Sequence, residues 1–389
     1  MILSELEEID AAALAQLCVD QCPESDSLDF KRAIGRPEEL LKDVSAMANS
    51  SGGDLVYGIE EKNGRADFLI PLTGGSGDAT ILRITQILDS LEPRIHGLQF
   101  KGIDVDGGHI VIIRVPRSFD GPHSFRVNAA RRFVLRNGSG TSDMSYDQIR
   151  NAFDRTATLS KRAADHAKSR LKAIATDQAP VKLKDGPLCV FQLVPIASIS
   201  GVTSIDVVAL QRTGYEKLMG PGWSGATPRL TLDGLLVYPG NLAKPTYGYS
   251  LVYRPGILES VRQYGEYTAV NREPPAELFP IIRRTDVAIY FRRMISLGAE
   301  FASHWKISGP AILSLAMLRV NNFQLGAQSV HLALEPAIAD RPNIILPNLW
   351  IERVEDMAIQ SVAQQALDIF WQSFGFERCD AFDDAIQVN

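Results

Sequence analysis

The sequence has few cysteines and no long hydrophobic run. Its 389 residues include only four cysteines, too few for the disulfide framework of a small secreted domain. No stretch reaches the roughly 20 apolar residues that a membrane-spanning helix needs. The N-terminus starts with acidic residues and has no small-residue cleavage site, which argues against a signal peptide. These absences predict a cytoplasmic protein without a membrane partner.

Internal repeats and low-complexity tracts are also absent from the sequence. Apolar residues make up 45% of the chain and charged residues 22%, which is typical of globular proteins. At roughly 100–200 residues per domain, the length predicts two or three domains.

The net charge of −6 is unevenly distributed. Residues 110–175 contain 13 lysines and arginines against 5 acids, whereas the remainder contains 27 against 41. A basic block in an acidic chain offers a surface for a polyanion. The alternative is that these basic residues are solvated and bind nothing.

Hydrophobic periodicity predicts an α/β (mixed α+β) fold. Residues 5–19 have helical spacing, and SLDFKR (27–32) alternates like a strand. Pro37, followed by two glutamates, begins a second helix, which Gly52-Gly53 ends before the buried strand DLVYGI. Further elements are predicted at 79–91 (helix), 109–115 and 132–136 (strands) and DQIRNAF (helix).

The composition changes after residue 155. We predict a first domain over 1–155, a helical linker rich in alanine, lysine and arginine over 156–180, and a C-terminal α/β domain over 181–389. In this last domain we predict strands at 187–194, 228–238, 248–254 and 342–346, and helices at 279–297 and 353–374.

Five charged residues of the first domain could form a catalytic cluster. On a strand, Asp29 and Lys31 share one face, an arrangement that suits a metal ion and its attacking water. Glu24 joins them if the chain turns back, and Glu60 and Glu61 join if their strand is a neighbour. Clustered carboxylates repel unless a cation such as Mg²⁺ or Mn²⁺ lies between them. The alternative is solvated strand ends.

A basic stretch interleaved with phenylalanines follows. Arginines beside exposed aromatic rings are suited to RNA, which we favour over DNA as the partner; the alternative places the rings in the core and the arginines in solvent. Alternation puts Arg132 and Arg136 on one strand face and Arg131 on the other. The candidate nucleic-acid-binding residues are Arg117, His123, Arg126, Arg131, Arg132, Arg136 and Asn137, the last opening the loop 137–142.

Other binding motifs are missing. No glycine-rich segment has the lysine and hydroxyl of a phosphate-binding ATPase loop, so the sequence gives no support for ATP. Cys18 and Cys22 lie one helical turn apart, but no second ligand pair has zinc spacing.

Several blocks in this order resemble the Schlafen-AlbA domain family over residues 20–155. They are Glu24 with LDFKR, LLKDVSAMANSSGGDLVYGIEE (40–61), PRSFDGPH (116–123) and RFVLRNGSG (132–140). The resemblance implies nucleic-acid binding. In Schlafen nucleases, three acids cut tRNA or rRNA with a divalent metal, and the matching positions here are Glu24, Asp29, and Glu60 or Glu61. Aspartate at position 29 departs from the family's glutamate, and we expect its shorter side chain to shift the metal or to abolish cleavage.

The leading interpretation is a metal-dependent endoribonuclease acting on structured RNA such as tRNA, in defence or stress. Two alternatives stay open: a catalytically silent DNA- or RNA-binding regulator, and a nucleotide-binding sensor or scaffold. The resemblance also implies a groove with two lobes, completed either by a homodimer or by residues 181–389 of the same chain.

Overall fold

The protein divides into two compact units, Met1–Thr158 and Leu159–Asn389. No helix in the part of the chain that is described is long and apolar enough to cross a membrane. The computed structural model describes residues 2, 6–138, 140–201, 203–264, 266–269, 278–326, 338–339 and 341–381.

The first unit combines short helices with a small sheet and two hairpins, which confirms the mixed α/β prediction. Its helices are α1 (Ala11–Val19), α2 (Pro37–Ala48) and α3 (Gly77–Leu88). Its strands are β1 (Leu28–Lys31), β2 (Gly53–Tyr57), β3 (Ile59–Lys62), β4 (Arg65–Leu69), β5 (Gln99–Val105), β6 (Gly108–Val115), β7 (Ser124–Val127), β8 (Ala130–Asn137) and β9 (Gly140–Asp143).

The central sheet of this unit has the strand order β1-β2-β6-β5. Strands β1 and β2 are parallel, and the other pairs are antiparallel. Apolar side chains cover both faces: Leu28 and Phe30 pack on the α1 side, whereas Leu55 and Tyr57 pack against α2 and α3. The face of β1 that carries Asp29 therefore also packs against protein and not against water.

Local signals explain where α2 begins and ends. Pro37 occupies the first turn, where its missing N–H costs no hydrogen bond. Gly52 follows the helix with φ of +73°, and its N–H donates to the carbonyl of Met47 at 2.9 Å. Gly53 then passes so close to β1 that a Cβ would lie 2.4 Å from the Ser27 carbonyl oxygen. The predicted glycine stop is confirmed.

The predicted helix over 5–19 is shorter in the structure. Helix α1 begins only at Ala11, because the Asp10 side chain accepts a hydrogen bond from the Ala13 N–H at 2.8 Å and caps it. A 3-10 turn over Leu6–Glu8 precedes the cap.

Helix α4 (Tyr146–Ala175) runs across the boundary between the units. The predicted linker over 156–180 is therefore the continuation of the helix that DQIRNAF begins. Neither glycine nor proline occurs between residues 146 and 179, so no sequence signal ends the helix earlier. It stops just before Asp177, whose φ is +60°.

The second unit is built on an antiparallel sheet with order β11-β12-β13-β14-β10-β17-β19, and β20 also pairs with β17. One face packs on α7 and α8, and the other carries a smaller core that includes Leu171 and Ile174 of α4. The strands are β10 (Leu188–Pro195), β11 (Thr227–Leu230), β12 (Gly234–Tyr238), β13 (Gly248–Tyr253), β14 (Leu258–Gln263), β15 (Glu266–Ala269), β16 (Leu278–Arg283), β17 (Ala311–Leu318), β18 (Gln324–Gly326), β19 (Asn343–Ile345) and β20 (Leu349–Ile351). The helices are α5 (Ile196–Ser200), α6 (Val207–Arg212), α7 (Arg284–His304) and α8 (Ile359–Gln372).

Three predicted elements of this unit need correction. The helix over 353–374 begins only at Ile359, after a 3-10 turn over Val354–Asp356. The strand over 228–238 is a hairpin, because the chain turns between β11 and β12 and Thr231 N–H donates to the Gly234 carbonyl. The helix over 279–297 begins as strand β16 and becomes helical only at Arg284. Short apolar runs are compatible with either element when periodicity alone is used.

Candidate nucleic-acid interface

Asp29 lies on β1 and faces α2 rather than solvent. Its side chain is 3% exposed, and Lys31 Nζ lies 2.6 Å from Oδ2 in an ion pair. Arg136 Nη2 donates to the other oxygen, Oδ1, at 3.1 Å. Burial raises the pKa of Asp29, but these two cations outweigh it and hold the pKa below its usual range.

Glu24 joins Asp29 because the chain does turn back before β1. The N–H of Ser25 donates to the Leu28 carbonyl at 2.9 Å, and Phe30 N–H donates to Glu24 Oε1 at 3.0 Å. Burial raises the pKa of Glu24, and the neighbouring Asp29 carboxylate raises it further. The two acids therefore interact electrostatically, as the sequence interpretation requires.

Glu60 and Glu61 do not join this pair. Both lie on the β3–β4 hairpin, where Glu60 Oε2 is 3.6 Å from Arg32 Nη1. Glu61 accepts a hydrogen bond from Gly64 N–H within the hairpin turn. Glu61 is thus held within its own turn, and Glu60 faces the arginine that follows β1 instead of the Glu24–Asp29 pair.

The carboxylates do not fit a divalent cation. Across the described ranges, no three histidine, cysteine or acidic side chains come together as a metal-binding group. Both oxygens of Asp29 already face cations, and Glu24 Oε1 accepts a backbone N–H. Two cationic partners supply the charge compensation that Mg²⁺ or Mn²⁺ was expected to provide.

Arg136 connects β8 to β1 and is not available to phosphate. Its side chain is 1% exposed, and its Nε and Nη2 donate to the Ser25 carbonyl at 3.1 and 2.9 Å. Asp43 of α2 lies in the same buried cluster, where desolvation raises its pKa despite the nearby Lys31. The arrangement is a buried ion-pair network that joins β1, α2 and β8.

His123 is also withdrawn from the surface. The ring is fully buried, and its Nδ1 is 2.8 Å from the Pro93 carbonyl oxygen, to which it donates as the neutral tautomer. Burial lowers the pKa of His123 to about 4. The residue is therefore neutral at physiological pH and cannot pair with phosphate, which corrects the sequence expectation.

Asn49 has a structural role that the sequence interpretation missed. Its Nδ2 donates to the His123 and Val134 carbonyls at 2.8 and 2.9 Å, and its Oδ1 accepts from His123 N–H at 2.7 Å. These bonds join the end of α2 to β7 and β8. The sequence signal that could have predicted this role is an asparagine that directly follows the helix and comes three residues before Gly52-Gly53.

The remaining basic candidates lie at the surface around β7 and β8. Arg117 and Arg126 are exposed, and neither has an ion-pair partner among the described residues. Arg131 is paired across the sheet register with Arg126 and forms an ion pair with Glu92.

Arg132 and Asn137 complete this surface. Arg132 binds both carboxylate oxygens of Asp143 at 2.9 Å, and its guanidinium lies 5.9 Å from the centre of the buried Phe125 ring. Asn137 is exposed at the end of β8. In the loop that it opens, Ser139 lies outside the described residues. We call Arg117, Arg126, Arg131, Arg132 and Asn137 the arginine surface.

Comparisons with solved structures find partial matches. The DIP2311 protein of Corynebacterium diphtheriae is 25% identical with a TM-score of 0.24, and the match covers 31% of this chain and 22% of that one. The N-terminal domain of an ATP-dependent DNA helicase RecG-related protein of Nitrosomonas europaea is 19% identical with a TM-score of 0.27, covering 35% and 92%. No curated protein matches the chain significantly.

A family model identifies the first unit. Residues 24–145 match the model described as Schlafen, AlbA_2, and this range contains β1, Asn49, the arginine surface and the Glu24–Asp29 pair. The match agrees with the resemblance found in the sequence and supports a nucleic-acid-related function. The N-terminal part of this protein is therefore a Schlafen-AlbA domain.

Proposed function

We propose that the Schlafen-AlbA domain binds nucleic acid through the arginine surface, without cutting it. The family match over residues 24–145 is the observation that carries this proposal. The geometry adds that five of the seven predicted binding residues lie at the surface, while Arg136 and His123 lie inside.

Arg117 and Arg126 supply positive charge that no ion pair of the described residues engages. The Arg117 guanidinium lies 5.3 Å from the centre of the Phe119 ring, so ring and cation together form a stacking platform. Arg126 lies beside Arg131 on the neighbouring strand. Two adjacent guanidinium groups suit consecutive phosphates, because each can donate two parallel hydrogen bonds.

Arg131 and Arg132 can exchange their present partners for phosphate. Glu92 and Asp143 are 68% and 62% exposed, and water screens an ion pair with such solvent access, so that it contributes little to stability. A phosphate can therefore replace Glu92 or Asp143 as the partner of these arginines at little cost in free energy.

The experiment compares the double variant Arg117→Ala/Arg126→Ala with Arg83→Ala, an exposed arginine of α3 in the same domain. Fluorescence anisotropy with single-stranded RNA, tRNA and both forms of DNA measures the affinity over a series of salt concentrations. We expect the double variant to bind more weakly and to reduce the slope of log affinity against log salt by roughly one to two units. The Arg83 variant should match the wild type, and an unchanged slope in the double variant would remove this surface from the proposal.

RNA is the ligand that we propose first, because loops and single strands expose bases for stacking on rings such as Phe119. The same titrations decide this point. Equal affinity for RNA and double-stranded DNA of one length would reject the preference while leaving nucleic-acid binding intact.

Metal-dependent cleavage is the second candidate, and the contact between Glu24 and Asp29 favours it. A carboxyl group whose pKa is raised by burial and a like charge is a suitable general acid or base. The buried, compensated Asp29 and the separate Glu60 and Glu61 favour binding alone. Glu24→Gln is the clean test, since the amide oxygen can still accept from Phe30 N–H. Cutting of tRNA by the wild type with Mn²⁺, lost with EDTA and in Glu24→Gln, would establish the nuclease instead.

A further inference from the structure

The second unit contains a cavity of about 970 Å³ that is lined by three arginines. Arg262 comes from β14, and Arg292 and Arg293 come from α7. This volume lies within the roughly 300–1,000 Å³ of small-molecule sites. No motif in the sequence pointed to it, because the arginines lie about 30 residues apart and meet only in the fold.

Arg262 is held in place before any ligand binds. Its guanidinium carbon lies 5.6 Å from the ring centre of Tyr264 and 5.7 Å from that of Tyr247. At Gly222 a Cβ would lie 3.6 Å from Arg262 Nη2, so the glycine loop lies against the same group. Fixing a long side chain in advance lowers the entropy cost of binding.

The Nε of Arg262 is an unsatisfied hydrogen-bond donor. It is buried and has no hydrogen-bond partner among the described residues. A guanidinium nitrogen can only donate, and a buried donor without an acceptor is unfavourable. The guanidinium is therefore incompletely hydrogen-bonded, and an oxygen anion in the cavity would supply acceptors to the same group.

The charge of the lining also favours an anion. Three arginines face two acids, Asp286 and Glu300. Arg293 pairs with Glu300 at 3.0 Å, and both side chains are at least one-third exposed. Such a pair exchanges readily with an incoming anion, and the lining keeps a net positive charge.

Apolar groups complete the wall. Met219, Pro221, Ile289 and Ile359 line the cavity together with the ring of Tyr264. A free inorganic ion would leave this apolar surface in contact with water, whereas a ligand with a planar or apolar part would cover it.

We propose that this cavity binds a small phosphate ester of the nucleotide class, with the phosphate on Arg262 and Arg292 and the planar part against Tyr264 and the apolar wall. This site lies entirely in the second unit and is independent of nucleic-acid binding by the Schlafen-AlbA domain.

The test uses the full-length protein and isothermal titration calorimetry with three probes: inorganic phosphate, adenosine monophosphate and adenosine. We expect adenosine monophosphate to bind most tightly, since it engages both the arginines and the apolar wall. R262Q and R292Q should each weaken its binding by roughly tenfold to a hundredfold, the effect of losing one charge-assisted hydrogen bond. R229Q, at an exposed arginine on β11 of the same unit, is the matched control and should bind like the wild type.

Several outcomes would overturn the proposal. These are no binding of phosphate or adenosine monophosphate at millimolar concentration, undiminished binding in R292Q, or adenosine binding as tightly as its monophosphate. R292Q keeps the test valid if R262Q does not fold. Loss of RNA binding in both variants, with no binding of the small probes, would assign the arginines to a macromolecular ligand instead.

Discussion

Arg132 and Arg136 lie on the same face of β8, yet only Arg132 reaches solvent. Strand alternation predicts the shared face but carries no information on depth. The Arg132 side chain is 39% exposed, whereas that of Arg136 is 1% exposed beneath the Ser25 carbonyl. The same limit applies to Asp29 and Lys31, whose shared face is covered by α2. Residue type and spacing therefore predicted the cluster but not its burial.

The buried ion pair gives the first prediction. Asp29→Ala removes the acid that Lys31 and Arg136 share, and we expect the free energy of unfolding to fall by about 3–5 kcal/mol. Asp143→Ala breaks the exposed pair with Arg132 and should cost less than about 1 kcal/mol. Chemical denaturation of both variants measures the difference. Equal losses would show that Asp29 is not a structural counter-ion.

His123 gives a prediction for pH dependence. Its pKa is about 4 in the folded protein, against an ordinary value of 6.5, so between these values the unfolded chain binds a proton that the folded chain does not. Stability should therefore be greatest above pH 6.5 and fall as the pH drops towards 4, by up to about 3 kcal/mol. In His123→Gln, which keeps a donor for Pro93, denaturation curves should show a weaker dependence. A slope equal to that of the wild type would assign the acid sensitivity to other groups.

At the scale of elements, the segment from Pro37 to Tyr57 was predicted best. Its start and stop signals are local: proline and acids at the beginning of α2, glycines at its end, and an apolar run in β2. The turn that brings Glu24 to Asp29 was stated as a condition and is present. The contacts of Asp29 with Arg136 join residues 107 positions apart. Such a contact depends on how α2 and β8 pack, which no local pattern encodes.

Gly53 supports a prediction about this segment. A side chain there meets the Ser27 carbonyl at 2.4 Å and must adopt φ near +151°. We expect Gly53→Val to lower the free energy of unfolding by at least about 3 kcal/mol, through clash and backbone strain together. Gly64→Ala separates the two causes, because Gly64 has φ of +72° and open space around it. Its cost should be about 1–2 kcal/mol. A Gly53 variant that melts like the wild type but fails to bind RNA would make the glycine functional instead.

For the whole molecule, the basic block is less available than its charge count suggests. The first unit itself contains 17 lysines and arginines against 24 acids within residues 1–158. Binding must therefore depend on a local surface and not on overall attraction. Three arginines of the block neutralise buried or nearly buried acids. They are Arg114 with Asp54 at 2.8 Å, Arg136 with Asp29 at 3.1 Å and Arg170 with Glu259 at 2.9 Å.

The arginine surface sets the expected salt dependence. Four arginines contacting single-stranded RNA correspond to a slope of roughly 3 in log affinity against log salt. A slope well above this value requires further cations, either from the same chain or from a second copy. The salt series therefore reports on assembly as well as on contacts.

Homodimerisation is the last prediction. Two copies would join two arginine surfaces along one RNA, doubling the number of phosphates held and strengthening capture. Light scattering at micromolar concentration should then give twice the 42.7 kDa of one chain, and the salt slope of the complex should approach roughly 6. Arg117→Ala/Arg126→Ala should keep the dimeric mass and lose slope, which separates assembly from binding. A mass of one chain, with full RNA affinity and a slope near 3, would show that a single arginine surface is sufficient.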